Sequence, residues 1–154
     1  GHMVMLVGDR VSTLEKEAAG PAIARKAIAR LRAGASSVLT ERVDDLSEIT
    51  AKAIGEAAAQ GDAFAIEQIA EAGHLVGLGL VTLMHLFNPQ VIVVGGGVTK
   101  TGDLLFEPMR AAVREYVLDP AYYEQVPIVP AALGDNVALI GAAALVTTKG
   151  GSYL

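Results

Sequence analysis

Three consecutive glycines, Gly95, Gly96 and Gly97, follow the β-branched run "VIVV" and precede a helical pattern. Backbone N–H groups often meet a phosphate at such a place, because glycine lets a ligand approach the chain closely. The two specific anion-loop patterns both fail. A dinucleotide fingerprint needs G-x-G-x-x-G, and Lys100 stands where the third glycine belongs. A P-loop needs G-x-x-x-x-G-K followed by Ser or Thr. Gly97 and Gly102 have that spacing, but Asp103 occupies the lysine position, where its charge would repel phosphate. The residues support either close approach of a ligand to the glycine backbone or a tight strand-to-helix turn. A second glycine pair, Gly134 and Gly141, flanks Asp135 at another helix start. A capped helix with one closely packed glycine is the plain structural reading there.

Other chemistry is narrowed by the side chains present. With no cysteine in the chain, disulfides, thiolate metal sites and cysteine nucleophiles are excluded. His74 and His85 fall eleven residues apart on one predicted helix, a separation of roughly 16 Å at the helical rise, so they cannot share a metal ion. No serine, histidine and acid constellation can be singled out. Glu15, Glu17, Asp44 and Asp45 sit where helix capping or solvation accounts for them.

A chain of 154 residues suffices for one domain with a sizeable core. It is 52% hydrophobic with a mean hydropathy of +0.44, much of it from alanine. The longest nearly uninterrupted apolar run, Leu75 to Phe87, is well short of the roughly 20 residues of a membrane span. The net charge of -5 argues against nucleic acid as a partner, which calls for a basic surface. Arg25, Lys26, Arg30 and Arg32 form one local basic run, read as a solvated helix face. No secretion signal opens the chain, and a cytoplasmic location is expected. Residues 1–3, "GHM", read as the remnant of a cleaved purification tag, residues 4–148 as one domain and residues 149–154 as a tail.

The periodicities supply the elements that must position these residues. "VMLV" predicts a strand; Ser12 or Thr13 caps a helix through "LEKEAAG", with Glu15 in a capping box. Pro21 suits the first turn of the next helix, whose Ile23, Ala27 and Leu31 share one face. Ser47 is expected to cap a helix ending near Gly61, and Asp62 a longer one stopped by Asn88 and Pro89. "VIVV" has no polar alternation, which predicts a central strand covered on both faces. A helix through "LLFEPMRAAVREYVL", a short strand "VPIV" and a closing helix "NVALIGAAALVTT" complete an α/β chain with helices in excess and too little sheet for them.

Three segments, "LEKEAAGPAIARKA", "AAAQGDAFAIEQIAEAGHLVGLGLVTLMHLFNPQVIVVGGGV" and "LGDNVALIGAAAL", together resemble in order and separation the C-terminal portion of the ROK family of sugar kinases and repressors. The resemblance implies a partial ribonuclease-H-like, actin-like ATPase fold, helix-rich with a small sheet. It implies a glucokinase-like hexose kinase using ATP with Mg²⁺. By match, Gly95, Gly96, Gly97, Gly134 and Asp135 fall on the nucleotide side and Glu15 on the sugar. The family's zinc cysteines fall at Gly8 and Thr13, so no zinc is expected. Neither the N-terminal lobe with its phosphate loop nor a catalytic aspartate is found, and the chain alone is expected to be inactive. His2 also matches the histidine of the family's Glu-x-Gly-His motif, beside the tag reading. A homo-oligomer is expected. The alternative is the sugar-sensing and oligomerisation lobe of a ROK transcriptional repressor.

Overall fold

A computed structural model of the protein describes residues 1–134 and 137–147. The chain opens with an antiparallel hairpin of β1 (Val4–Val7) and β2 (Arg10–Thr13), with Val7 opposite Arg10. Gly8 makes the turn at φ 58°, a left-handed conformation that glycine adopts without a Cβ clash. In the sequence Ser12 and Thr13 read only as helix caps, and the polar residues Arg10 and Ser12 hid β2.

Thr13 caps α1 (Leu14–Ala18), its hydroxyl accepting from Lys16 N at 3.4 Å. The expected capping box does not form, because Glu15 is the second helical residue and Lys16 stands at the third. α2 (Gly20–Arg32) starts with Pro21 in its first turn and buries Ala22, Ile23, Ala27 and Leu31. Two 3-10 turns, Val38–Glu41 and Leu46–Glu48, lead to α3 (Ala51–Ala59). Thr50, not Ser47, caps α3, accepting from Ala53 N at 3.2 Å. Ser47 is held inside the preceding turn, where its N–H donates to Asp45.

Asp62 caps α4 (Ala63–Phe87), accepting from Ala65 N at 2.7 Å, and Asn88 ends it at φ 42°. β3 (Ile92–Val94) then pairs in parallel with β4 (Ile128–Pro130), Ile92 opposite Ile128. The crossover between them contains α5 (Asp103–Tyr116) and the short α6 (Ala121–Gln125). α7 (Val137–Thr147) follows, with Leu139, Leu145 and Val146 exposed. β3 departs from its expected environment: β4 is its one partner among the described residues, and Val93 is 59% exposed.

α4 is the axis of the fold. Its length and apolarity would suffice to cross a bilayer, but Phe64, Ala65, Ile69, Ala72, Leu80 and Met84 are buried against the rest of the chain. Its glycines decide how closely its neighbours lie. A Cβ on Gly73 would sit 2.3 Å from the Leu105 carbonyl oxygen, and one on Gly77 would sit 2.5 Å from that of Met109. The backbone of α5 therefore rests on bare α4 backbone, with Met109 and Val113 fully buried nearby. Gly79 serves α1, since its Cβ would lie 3.0 Å from Leu14 Cδ2.

Gly77→Ala should lower the unfolding free energy by about 2 kcal/mol, overpacking outweighing the gain in helix propensity. Gly97→Ala, whose Cβ would meet nothing within 4 Å, should stay within about 0.5 kcal/mol. Urea denaturation of both variants checks this; equal stability would contradict the close contact.

Candidate functional site

A cavity of about 810 Å³ lies between α1, the start of α2, α3 and the segment after β3. Small residues let these elements converge on it. A Cβ on Gly20 would lie 3.4 Å from Ala51 Cβ, and one on Gly55 would lie 2.9 Å from Thr101 Cγ2. Glu15 enters the lining from α1, and Gly95, Gly96 and Gly97 enter it from the end of β3. Five of the sequence-selected residues are thus accounted for as follows: Glu15 and the three glycines share one cavity, whereas Gly134 is exposed, at φ 52°, and is not part of the lining. Asp135 lies outside the described residues.

The glycine wall has the form of a cradle. Gly96 adopts φ 118°, closed to ordinary side chains. Cβ atoms on Gly96 or Gly97 would meet only open space. The 3-10 turn Gly97–Thr101 continues the wall, stiffened by Thr99 Oγ1 donating to the Gly96 carbonyl at 2.7 Å and Thr101 Oγ1 to that of Val98 at 2.8 Å. The ionisable lining groups are Glu15, Lys52, Glu56 and Lys100, and Lys52 lies 3.8 Å from Glu56. The geometry suits a flat or polar group laid against backbone, with a carboxylate, Glu15, available to accept hydroxyl hydrogen bonds.

Residues 1–3 lie beside this carboxylate. The Gly1 carbonyl accepts from Glu15 N at 2.7 Å and the Met3 carbonyl from Leu14 N at 2.9 Å, while His2 is exposed. The other histidines have partners of their own. His74 packs edge-on to Tyr116 and His85 to Tyr122, and His85 Nε2 accepts from Leu118 N at 3.1 Å. A zinc site of the cysteine type does not fit this chain: Gly8 offers no donor and the Thr13 hydroxyl is committed to capping α1.

Sequence reasoning missed Glu17. Rather than being solvated, it is 2% exposed. Its Oε1 accepts from Ser12 Oγ at 2.5 Å and from Arg10 at 2.6 Å, and its Oε2 lies 3.0 Å from Lys26 Nζ. Ser12's hydrogen bond chiefly, then that of Arg10 and the charge of the Lys26 ammonium, outweigh burial and hold this carboxyl down to about 2, against 4.5 ordinarily. Three residues of the basic run on α2 are engaged: Lys26 also bonds Glu71, Arg30 bonds Glu67, and Arg25 donates to the Lys16 carbonyl. A charge inventory of the helices could have suggested pairing, but not which carboxylate is buried.

Comparison with known proteins matches residues 8–149 to the profile of the ROK family. The chain is 32% identical over 136 residues to a glucokinase of Streptomyces coelicolor, covering 85% of this chain and 42% of that protein. It is 35% identical over 133 residues to the N-acetylglucosamine repressor of Escherichia coli O6:H1, covering 86% and 31%. The structure of a ROK glucokinase from Streptomyces griseus in complex with glucose and AMPPNP superposes with a TM-score of 0.77 at 27% identity, covering 92% of this chain and 55% of that one. The chain thus spans less than half the length of the curated relatives it matches. The helix-rich α/β chain with its small sheets thus matches part of the solved ROK kinase structure.

The depressed Glu17 carboxyl has a signed consequence. Its folded value lies below its unfolded one, so it contributes stability above about 4.5 that is lost as the pH falls towards 2. That contribution is on the order of 3 kcal/mol. Unfolding free energies measured from pH 7 to pH 2 should fall by about that much more for the native chain than for Glu17→Gln; parallel curves would contradict the assignment.

Proposed function

The chain belongs to the ROK family, and on that premise we propose that it is the C-terminal portion of an ATP-dependent hexose kinase of the glucokinase type. It would supply the nucleotide side of the cleft and one sugar contact. The observation that carries this reading is the shared cavity, into which Glu15 and Gly95–Gly97 both open. The Streptomyces griseus glucokinase, a structural relative, was crystallised with both glucose and AMPPNP.

Phosphoryl transfer depends on positioning and on neutralising charge as it spreads over the transferred group. Glu15 would accept hydrogen bonds from sugar hydroxyls and so orient the hexose. The backbone of Gly95–Gly97 would carry the nucleotide at close range, in a place where any side chain would intrude. ATP with Mg²⁺, when bound, supplies the phosphoryl group and the cation on its phosphates. Among the described residues no acidic cluster offers that cation a site of its own. The cavity's other carboxylate, Glu56, lies near Lys52, so the base that takes the sugar hydroxyl proton is assigned to the N-terminal lobe. Apolar side chains left exposed on the described chain, Leu86, Phe87, Val93 and Val146 among them, support that lobe and a second copy of the chain as partners.

A second reading, the sugar-sensing lobe of a transcriptional repressor, is favoured by the 35% identity to the N-acetylglucosamine repressor. The same Glu15 would then read the sugar, with no call on the glycines to hold a nucleotide. AMPPNP separates the two.

In a titration followed by amide NMR, AMPPNP should shift the resonances of Gly95–Thr101, and Gly97→Val should weaken that response at least tenfold, while glucose shifts those around Glu15. Glucose shifts without any AMPPNP response would favour the repressor; shifts confined to residues outside the cavity would defeat both. A coupled assay of the purified chain with glucose and ATP should show no turnover, and measurable turnover would overturn the assignment of the base to another lobe.

A further inference from the structure

We infer that Glu17 is a positioning residue: an ion-pair cluster built on it turns Glu15 towards the cavity and does the holding in a hairpin whose residues cannot form a cysteine-type metal site. The inference rests on the reading of Glu15 as the sugar contact.

α1 has five residues, far fewer than an isolated helix needs to persist in water. Something outside it must hold it. Residues two apart on a helix point about 200° from one another, and the exposures follow: Glu15 is exposed at the cavity while Glu17 is buried on the other side. From there Glu17 reaches two other elements. Ser12 and Arg10 on β2 donate to its Oε1. Lys26 on α2 meets its Oε2 at 3.0 Å, an ionic contact outside hydrogen-bond geometry. Lys26 also donates to Glu71 of α4 at 2.9 Å. One carboxylate therefore ties α1 to the hairpin, to α2 and, through Lys26, to the central helix. The cluster is balanced, with Arg10 and Lys26 facing Glu17 and Glu71, which satisfies the condition for keeping a buried carboxylate charged.

The places where a metal would do the same work are closed. Gly8 has no donor and Thr13 is spent on the cap. Removing one partner of a buried pair strands the other's charge, so the loss should be local and large.

Hydrogen exchange on the 154-residue chain tests this. Glu17→Gln keeps the volume and loses the charge; Lys26→Met keeps the stem and loses the ammonium; Lys26→Arg keeps the charge. The amides of residues 14–19 should exchange at least tenfold faster in Glu17→Gln and Lys26→Met, with Lys26→Arg close to the native chain. Amides at the α4–α5 contact should be unchanged, and EDTA should not affect the native chain. Unchanged exchange at residues 14–19, uniform acceleration along the chain, or loosening of the native chain by EDTA would each overturn the inference. If Glu17→Gln fails to fold, the two Lys26 variants decide alone. A glucose titration of the native chain keeps the two readings apart. No response at Glu15 sinks the sugar contact, whereas the exchange pattern still decides whether Glu17 holds α1.

Discussion

The closeness of backbone to backbone along α4 is the constraint from which the rest of the structure follows. Gly73 and Gly77 let the carbonyls of Leu105 and Met109 come where a methyl group would stand, and Gly79 leaves room for the Leu14 side chain. α5 is thereby placed on one side of α4 and α1 near another. The segment that begins α5 carries the glycine turn, and α1 carries Glu15. Both walls of the cavity are thus referenced to a single helix, so that the distance between them is set by core packing rather than by loops. Packing of this density tolerates little change in volume.

Electrostatics then adds to what packing does for so short an element as α1. Burial alone would favour the neutral acid at Glu17, but two donors on β2 and the Lys26 ammonium on α2 reverse that preference. The outcome is a fixed negative charge inside the fold and a second carboxylate, Glu15, left exposed at the cavity. Similar residue types on one five-residue stretch thus serve opposite ends through their direction alone.

Much of this architecture was legible in the sequence where the signal is local. Asp62 before an apolar helix, Asn88 and Pro89 after it, and Pro21 at a helix start each act within one turn, and each stands where local chemistry puts it. Thr50 took the cap expected of Ser47, because Asp45 drew Ser47 into a 3-10 turn first. β2 was hidden by its polar residues, which are engaged through Glu17 on the following helix rather than through an apolar alternation. The glycines after "VIVV" could be chosen from sequence, but their companionship with Glu15 depends on how α1 and α5 sit on α4. β3 reads as a strand with two covered faces, yet among the described residues it has one neighbour and an exposed Val93.

The central claim is that one cavity, walled by Glu15 and by Gly95–Gly97, takes a sugar and a nucleotide side by side. A crystal structure of the chain grown with glucose and AMPPNP tests it most directly. The account predicts glucose hydroxyls on the Glu15 carboxylate and the nucleotide against the backbone of Gly95–Gly97. Both ligands bound elsewhere, or a nucleotide bound away from these glycines, would contradict it.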